Sequence, residues 1–284
     1  MSRSSSAKTT PTSAAPVLKW AGGKRRLLAQ YEPHFPEEFG RYFEPFFGGG
    51  AVFFWLFSRR VLDNTPVFLN DVNPELVNFY SVLRDDCESL IEKLEEHAKR
   101  HGKDYYYTTR AKKQRQMKPV NRAARLMYLN RTCFNGLYRV NSKGEFNVPM
   151  GRYKNPLICD PVGLRAASAA LQHGTFSLGC FETAVSGAQA GDLVYFDPPY
   201  VPLNTTSSFT SYTRENFTLD DQKRLAETFR ELAARGVKVC LSNSDTPIVR
   251  ELYKGFDQHV IMAPRAINSK ADRRQKVSEL LVVS

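Results

Sequence analysis

Long uncharged runs are missing from this chain. No stretch of 18 or more residues is free of charge, which argues against a membrane-spanning helix. Cysteine is scarce: Cys87, Cys133, Cys159, Cys180 and Cys240 are scattered, odd in number and nowhere spaced Cys-x-x-Cys. That pattern argues against a disulfide framework or a zinc site, so no metal is expected, and it fits a reducing cytoplasm. The first fifteen residues, MSRSSSAKTTPTSAA, contain no aromatic. They read as a disordered tail, lacking the apolar core of a secretory signal and the amphipathic pattern of a transit peptide. Internal repeats are also lacking.

Acidic residues are depleted in one place. Residues 99–154 hold fifteen Lys or Arg against two acids, Asp104 and Glu145, while the whole chain nets +11. The positive excess therefore lies in this window, and the remainder is slightly acidic. Eight Tyr or Phe share the window. Basic residues interleaved with aromatics are the electrostatic and stacking footprint of nucleic-acid binding.

With 42% apolar residues in 284, the chain can bury one large core with an insertion, or two smaller ones. Strands are expected at 42–46, 66–71, 192–196 and 237–245. Two terminal runs, 258–263 and 278–284, are placed to pair as a hairpin. Asn73-Pro74-Glu75 carries a cap, a first-turn proline and an early acid; it predicts a helix running to about residue 100. Thr218 with Asp221 predicts a second helix start. Strands alternating with helices predict an α/β fold, a mainly parallel sheet with helices on both faces. The basic window interrupts that alternation as an insert.

Three predicted strands end in chemistry, and ligands of open α/β sheets gather beyond the carboxyl ends of strands. The first runs into Glu44-Pro45-Phe46-Phe47-Gly48-Gly49-Gly50, where glycines permit a sharp turn and a close backbone approach. No Lys-Ser/Thr follows, so it is not a phosphate-binding P-loop. The second ends in Asp71, spaced to accept hydrogen bonds from a ribose diol. Together they suggest a nucleoside-bearing cofactor. The third ends in Asp197-Pro198-Pro199-Tyr200. Its prolines fix φ and remove donors, leaving the Asp197 carboxylate and the Pro198 carbonyl as acceptors suited to an NH₂ group. Tyr200 offers a face for a planar ring. An exocyclic amino nitrogen of adenine is a poor nucleophile. Hydrogen bonds to its protons and in-line placement against a sulfonium methyl would activate it without a metal or a covalent intermediate.

The order and content of these motifs resemble the DNA adenine-N6 methyltransferases of the Dam and DpnII-methylase type. The resemblance is carried by PVLKWAGGKRRLL (16–28), FEPFFGGGAVFF (43–54), LNDVNPELVNFY (69–80), RAARLMYLNRTCFNGLYRVNSKGEFNVPMGRYKNP (122–156), VYFDPPYVPL (194–203), LSNSDTPIVRELY (241–253) and INSKADRRQKVSELL (267–281). It covers nearly the whole chain after the tail. It implies a Rossmann-like S-adenosylmethionine-dependent methyltransferase sheet built from 16–84 and 157–284. A mainly helical target-recognition domain, 85–156, would be inserted in it, after the disordered tail 1–15. Cofactor contacts are implied at Trp20, Lys24, Phe46, Gly48, Asp71 and Asp197, with Lys24 on the methionine carboxylate and Asp71 at the nucleoside end. On the residues alone, Trp20 reads as core packing and Lys24 as a surface lysine. Catalysis falls to Asp197, Pro198, Pro199 and Tyr200, with Tyr200 stacking on a flipped adenine.

Matching the insert to GATC-specific members puts Arg139 on a guanine. Leu137, Pro149 and Tyr153 take other base-reading positions, and Lys19 the outer guanine. Phe134 stands where an aromatic enters the base stack; several relatives carry Tyr there, and phenylalanine keeps the stacking surface. Asn135 and Arg152 belong to the same surface. Arg273 and Arg274, with Arg265, Lys270 and Lys276, read as phosphate contacts in a late basic loop. The loop 203–216, with Phe209 and Tyr212, is placed to close over the DNA. The implied partner is double-stranded DNA, with no membrane. A cognate restriction endonuclease is implied only as a system without a stable complex. The enzyme is expected as a monomer or weak dimer in a bacterial or phage-infected cytoplasm. Alternatives stay open at this point: methylation of cytosine N4, RNA adenine or protein glutamine, or an inactive sequence-specific DNA-binding protein.

Overall fold

The computed structural model describes residues 14–201, 217–263 and 277–284. Seven strands form one sheet: β1 (Tyr42–Glu44), β2 (Val67–Asp71), β3 (Gly174–Leu178), β4 (Leu193–Phe196), β5 (Lys238–Ser244), β6 (Asp257–Ala263) and β7 (Val277–Val283). Their order is β3-β2-β1-β4-β5-β7-β6. The first five are mutually parallel, and β7 runs antiparallel between β5 and β6. The terminal runs thus form the expected hairpin. From β1 the chain passes to β2 on one side and later returns to β4 on the other. Such a reversal opens a crevice at the carboxyl ends of the two central strands.

The helices are α1 (Leu28–Tyr31), α2 (Ala51–Ser58), α3 (Pro74–Asp85), α4 (Cys87–Lys99), α5 (Lys103–Ala111), α6 (Pro119–Thr132), α7 (Pro161–Leu171), α8 (Phe181–Val185), α9 (Leu219–Ala234) and α10 (Pro247–Leu252). No helix among the described residues is long and apolar enough to cross a membrane. Alternate side chains of each central strand enter different cores. Tyr42, Leu193, Tyr195, Cys240 and Leu281 pack in one, while Phe43, Val194, Phe196, Val239, Leu241 and Leu280 pack in the other. This two-sided burial is why Leu193-Val194-Tyr195-Phe196 is an uninterrupted apolar run.

Local signals act where expected. The Asn73 side chain accepts from the Glu75 N–H at 2.9 Å, with Pro74 in the first turn. Thr218 and Asp221 bond reciprocally as a capping box. Three expectations need correction. The helix from Pro74 does not run through to residue 100: Asp86, at φ −144° and ψ 53°, divides it into α3 and α4. Aspartate competes for backbone donors and is a poor helix interior. Strand β3 is absent from the expectations, so the strand at 192–196 is the fourth. At the sheet edge β3 leaves Thr175, Ser177 and Leu178 exposed, which erases the apolar alternation that would announce it. Finally, much of the aromatic content of the basic window is core: Tyr106, Tyr128 and Phe146 are buried. Residues 1–13 of the expected tail lie outside the described residues, and Ala14 is buried.

The turn after β1 depends on Gly50. Its φ is +67°, and a Cβ there would stand 2.4 Å from Cζ of Phe47. That ring is buried, edge-on to Tyr80 and Phe176, so it has no room to retreat. Gly50→Ala is expected to destabilise by about 2–5 kcal/mol, combining left-handed strain with overpacking. Gly102→Ala, with open space around it, is the control and should stay within about 1 kcal/mol. Urea unfolding of both variants checks this.

Candidate active site

At the carboxyl end of β4 the backbone emerges as Asp197-Pro198-Pro199-Tyr200. The Asp197 Oδ1 receives the Lys24 ammonium at 2.8 Å and the Ser242 hydroxyl at 2.8 Å. Lys24 is 1% exposed, which overturns its reading as a surface lysine. Its Nζ also donates to the Gly22 carbonyl at 2.6 Å and stands 4.5 Å from the centre of the Tyr200 ring. Among the described residues, Asp197 Oδ2 and the Pro198 carbonyl accept no hydrogen bond. The following carbonyl, of Pro199, is taken by Gln222 Nε2 at 2.9 Å. Gln222 is buried and accepts from Asn243 Nδ2, whose Oδ1 accepts from the Val201 N–H. The stiff segment is therefore clamped through the Pro199 carbonyl and the Val201 N–H.

Tyr200 is held by its hydroxyl, which donates to Glu279 Oε2 at 2.7 Å. Tyr31 donates to the same oxygen at 3.5 Å. Burial, with Asp197, Tyr31 and Glu279 nearby, keeps the Tyr200 phenol well above its ordinary range, so it stays a donor. Glu279 comes from β7; it lies within the 267–281 motif but was not among the expected site residues. Ser242, Asn243 and Gln222 were missed as well. Their signal was present: Ser242-Asn243-Ser244 is a polar run at the end of an otherwise apolar strand, and all three are buried.

The glycine turn and Asp71 adjoin each other. Asp71 Oδ2 accepts from the Gly48 N–H at 2.9 Å, and Oδ1 from the Asn73 N–H at 2.8 Å. Burial nonetheless pushes this carboxyl up to about 6, against the pull of those N–H donors. Trp20 lies on the turn: a Cβ on Gly48 would be 3.0 Å from Trp20 Cδ1, and one on Gly49 3.2 Å from its Cβ. The same indole packs on Tyr138 at 5.1 Å. Phe46 stacks with Phe181 and meets the edges of Phe196 and Phe217. Trp20, Lys24, Phe46, Gly48, Asp71 and Asp197 thus collect around the carboxyl ends of β1, β2 and β4.

A second surface lies on the chain between α6 and residue 153. Backbone bridges pair Cys133 with Met150 and Val140 with Phe146, and the Phe134 N–H donates to the Pro149 carbonyl at 2.9 Å. Phe134, Asn135, Leu137, Arg139, Pro149, Arg152 and Tyr153 are all exposed. Lys19 joins them, its Nζ 4.4 Å from the Tyr153 ring centre. The buried Asn130 fixes Lys19 from beneath, accepting from its N–H at 2.8 Å and donating to its carbonyl at 2.7 Å; it also donates to the Gly136 carbonyl. Arg139 Nε donates to Asn147 Oδ1 at 2.7 Å and its Nη2 to the Asn147 carbonyl at 3.5 Å, which steadies the guanidinium of this exposed side chain. Arg265, Lys270, Arg273, Arg274, Lys276 and the 203–216 loop lie outside the described residues.

Glu44, buried at the end of β1, accepts from the Tyr42 hydroxyl at 2.7 Å and the Phe53 N–H at 3.1 Å. Burial, with a smaller push from Asp197, raises its carboxyl to about 8. Folding therefore holds a proton that the unfolded chain releases above pH 4.5, so stability falls as pH rises from about 4.5 to 8. Glu44→Gln mimics the protonated form and removes that slope. Relative to the parent, it should gain on the order of a few kcal/mol between pH 5 and 8. Denaturant unfolding at both pH values checks this; parallel profiles for the two proteins would show Glu44 to be ionised.

Comparison with known proteins points the same way as this geometry. Residues 20–267 match the family described as D12 class N6 adenine-specific DNA methyltransferase. A type II methyltransferase of Lactococcus lactis subsp. cremoris is 46% identical over 95% of each chain. One from Methanocaldococcus jannaschii is 44% identical over 95% of this chain and 98% of its own. The DNA adenine methylase of Escherichia coli K12 is 37% identical over 94% of each. The Rossmann-like sheet with its reversed strand β7 is consistent with a fold that transfers a methyl group from S-adenosylmethionine. The chain belongs to the D12 class of N6 adenine-specific DNA methyltransferases.

Proposed function

We propose that the enzyme methylates adenine N6 within GATC in double-stranded DNA, after flipping the adenine into the crevice at the end of β4. The observation that carries this reading is the pair of acceptors, Asp197 Oδ2 and the Pro198 carbonyl, that no described residue engages, close to the Tyr200 ring. One acceptor for each amino proton drains the conjugation of the nitrogen lone pair as the new bond forms. Tyr200, tethered through Glu279, supplies the stacking face. An adenine inside a duplex cannot reach a pocket at a strand end, so the base must leave the stack. Phe134, half exposed at the edge of the recognition surface, is the side chain to fill the gap.

The residues present fit the cofactor. S-adenosylmethionine supplies an electrophilic methyl group when bound. Asp71 uses one acceptor position on each oxygen for a backbone N–H and has capacity left for a ribose diol. Gly48 and Gly49 leave the space in which Trp20 lies. Lys24 commits two of its three N–H donors, to Gly22 and Asp197, and keeps one for a carboxylate. Phe46 lines the same end of the sheet. In the recognition surface, Arg139 is assigned to guanine O6 and N7. Leu137, Pro149, Tyr153 and Lys19 are assigned to the remaining positions, with Asn135 and Arg152 beside them. The segments 1–15, 85–156, and 16–84 with 157–284 are assigned as tail, recognition domain and catalytic domain. We place the enzyme in a bacterial or phage-infected cytoplasm, acting as a monomer or weak dimer without a stable nuclease complex.

The catalytic acid is best tested with an isostere. Asp197→Ala would strand the buried Lys24 ammonium, a loss of about 3–5 kcal/mol for removing one partner of a buried pair. Asp197→Asn keeps a carbonyl for Lys24 and Ser242 but places an NH₂ where an acceptor is required. It is expected to bind duplex like the parent while methyl transfer falls about 10²–10³-fold. Single-turnover label transfer and duplex anisotropy separate the two; transfer at the parental rate would end the acceptor mechanism. Arg139→Ala should cost about 1–3 kcal/mol and relax selection at one guanine. Competition between GATC and single-substituted duplexes reads this, and uniform weakening would instead make Arg139 a phosphate contact.

A further inference from the structure

Two separate pieces of chain supply the recognition surface: the segment at Lys19, ahead of the sheet, and the hairpin that follows α6. They meet over the last turn of that helix, and one side chain joins them. Asn130 is 1% exposed. Its Oδ1 accepts from the Lys19 N–H at 2.8 Å. Its Nδ2 donates to the carbonyls of Lys19 at 2.7 Å and Gly136 at 3.1 Å. The neighbouring Arg131 Nη2 donates to the Val17 carbonyl at 2.6 Å. The end of α6 therefore grips the 17–19 segment at two residues.

A carboxamide is matched to this demand. It carries an acceptor oxygen and two donor hydrogens, and the two backbones present one N–H and two carbonyls. Ionised aspartate, of the same size, offers no donor. Because all three bonds run to backbone, they fix where the Lys19 Cα stands relative to the Gly136 turn. The stem of Lys19 then crosses that turn: Gly136 has φ +65°, and a Cβ there would stand 2.5 Å from Lys19 Cδ. At the far end the ammonium lies 4.4 Å from the Tyr153 ring centre. Tyr153 in turn folds over Gly151, where a Cβ would be 2.6 Å from its Cε2. Lysine is a point charge on a flexible stem, so selection through it depends on where the stem begins.

We propose that Asn130 is a positioning residue for base selection. From its buried place it sets Lys19 against the hairpin, and so determines selection at the base that Lys19 meets. The inference rests on the GATC reading, in which that base is the outer guanine. It makes the recognition frame a joint structure, one part on the hairpin and one on the segment ahead of the sheet.

The test is single-turnover methyl transfer by the full chain on three duplexes, GATC, CATC and GACC. The complementary adenine is methylated beforehand, so that one strand reports. Asn130→Asp keeps the size and the acceptor and loses both donors. It is expected to lower the GATC-to-CATC rate ratio about tenfold and to leave the GATC-to-GACC ratio within about twofold of the parent. A buried carboxyl facing two carbonyls has a raised pKa, and on taking up a proton it regains one donor. The first-position ratio of Asn130→Asp should therefore recover in part between about pH 8 and about pH 6, while that of Lys19→Met does not. In Lys19→Met/Asn130→Asp no first-position loss is expected beyond that of Lys19→Met. Gly136→Ala displaces the lysine stem and leaves Asn130 in place; it should lower the same ratio at every pH, and it decides the matter if Asn130→Asp does not fold. Equal losses on all three duplexes, a further first-position loss in the double variant, or an unchanged ratio in Gly136→Ala overturns the proposal. A parent without first-position preference removes the GATC reading itself, whereas a parental preference that survives Asn130→Asp overturns this inference alone.

Discussion

The ion pair between Lys24 and Asp197 is the interaction on which the site depends. It joins the loop ahead of α1 to the end of β4, and it places an ammonium group in a position closed to water. Neither partner is stable there alone. Removing a charge from water costs several kcal/mol, and the arrangement recovers that only because Gly22, Ser242 and the Tyr200 face complete the shell. The pair therefore couples three parts of the candidate site: the loop that carries Trp20, the acid of the strand end, and the ring beside it. Their relative placement is set before any ligand arrives.

Much of this was legible in the sequence because strand ends carry their chemistry locally. Asp197-Pro198-Pro199-Tyr200, Asp71 and the glycine turn are each short contiguous signals, and the caps at Asn73 and Thr218 act within three residues. What stayed hidden acts across the chain. Glu279 meets Tyr200 from a strand that enters the sheet in reverse, and Gln222 reaches Pro199 from a helix. No spacing in the sequence reports either contact. Strand β3 was hidden for a different reason: an edge strand with one half-buried phenylalanine buries too little to show a pattern. Lys24 was misjudged on residues alone because lysine is rarely buried unless paired, and its partner is distant in sequence.

The basic insert shows how one composition can serve two masters. Tyr106, Tyr128 and Phe146 are consumed by its core, and Arg125 is buried, bonding the carbonyls of Thr109 and Arg110. The aromatic count alone therefore overstated the stacking surface. What remains outside is concentrated: Phe134, Leu137, Arg139 and Tyr153 on one small hairpin, braced by Asn130 and Asn147. The core aromatics make that hairpin rigid, since Tyr106 and Arg110 both donate to the Val148 carbonyl. Rigid support beneath these exposed side chains is what the proposed base reading requires.

The pairing of β1 with β4 has a kinetic side. Arg41 and Asp192, ion-paired at the amino ends of these strands, are 151 residues apart in the chain. The centre of the sheet therefore closes a longer loop than any other strand pairing in it, and nonlocal pairing of this kind is slow and exposes apolar edges while it waits. The insert lies within that loop. Its helices α4, α5 and α6 make contacts close in sequence, so they can form early and shorten the span left to close, each halving being worth about 0.6 kcal/mol of closure entropy. The segment proposed to read DNA thus also shortens the loop across which the central strands must pair.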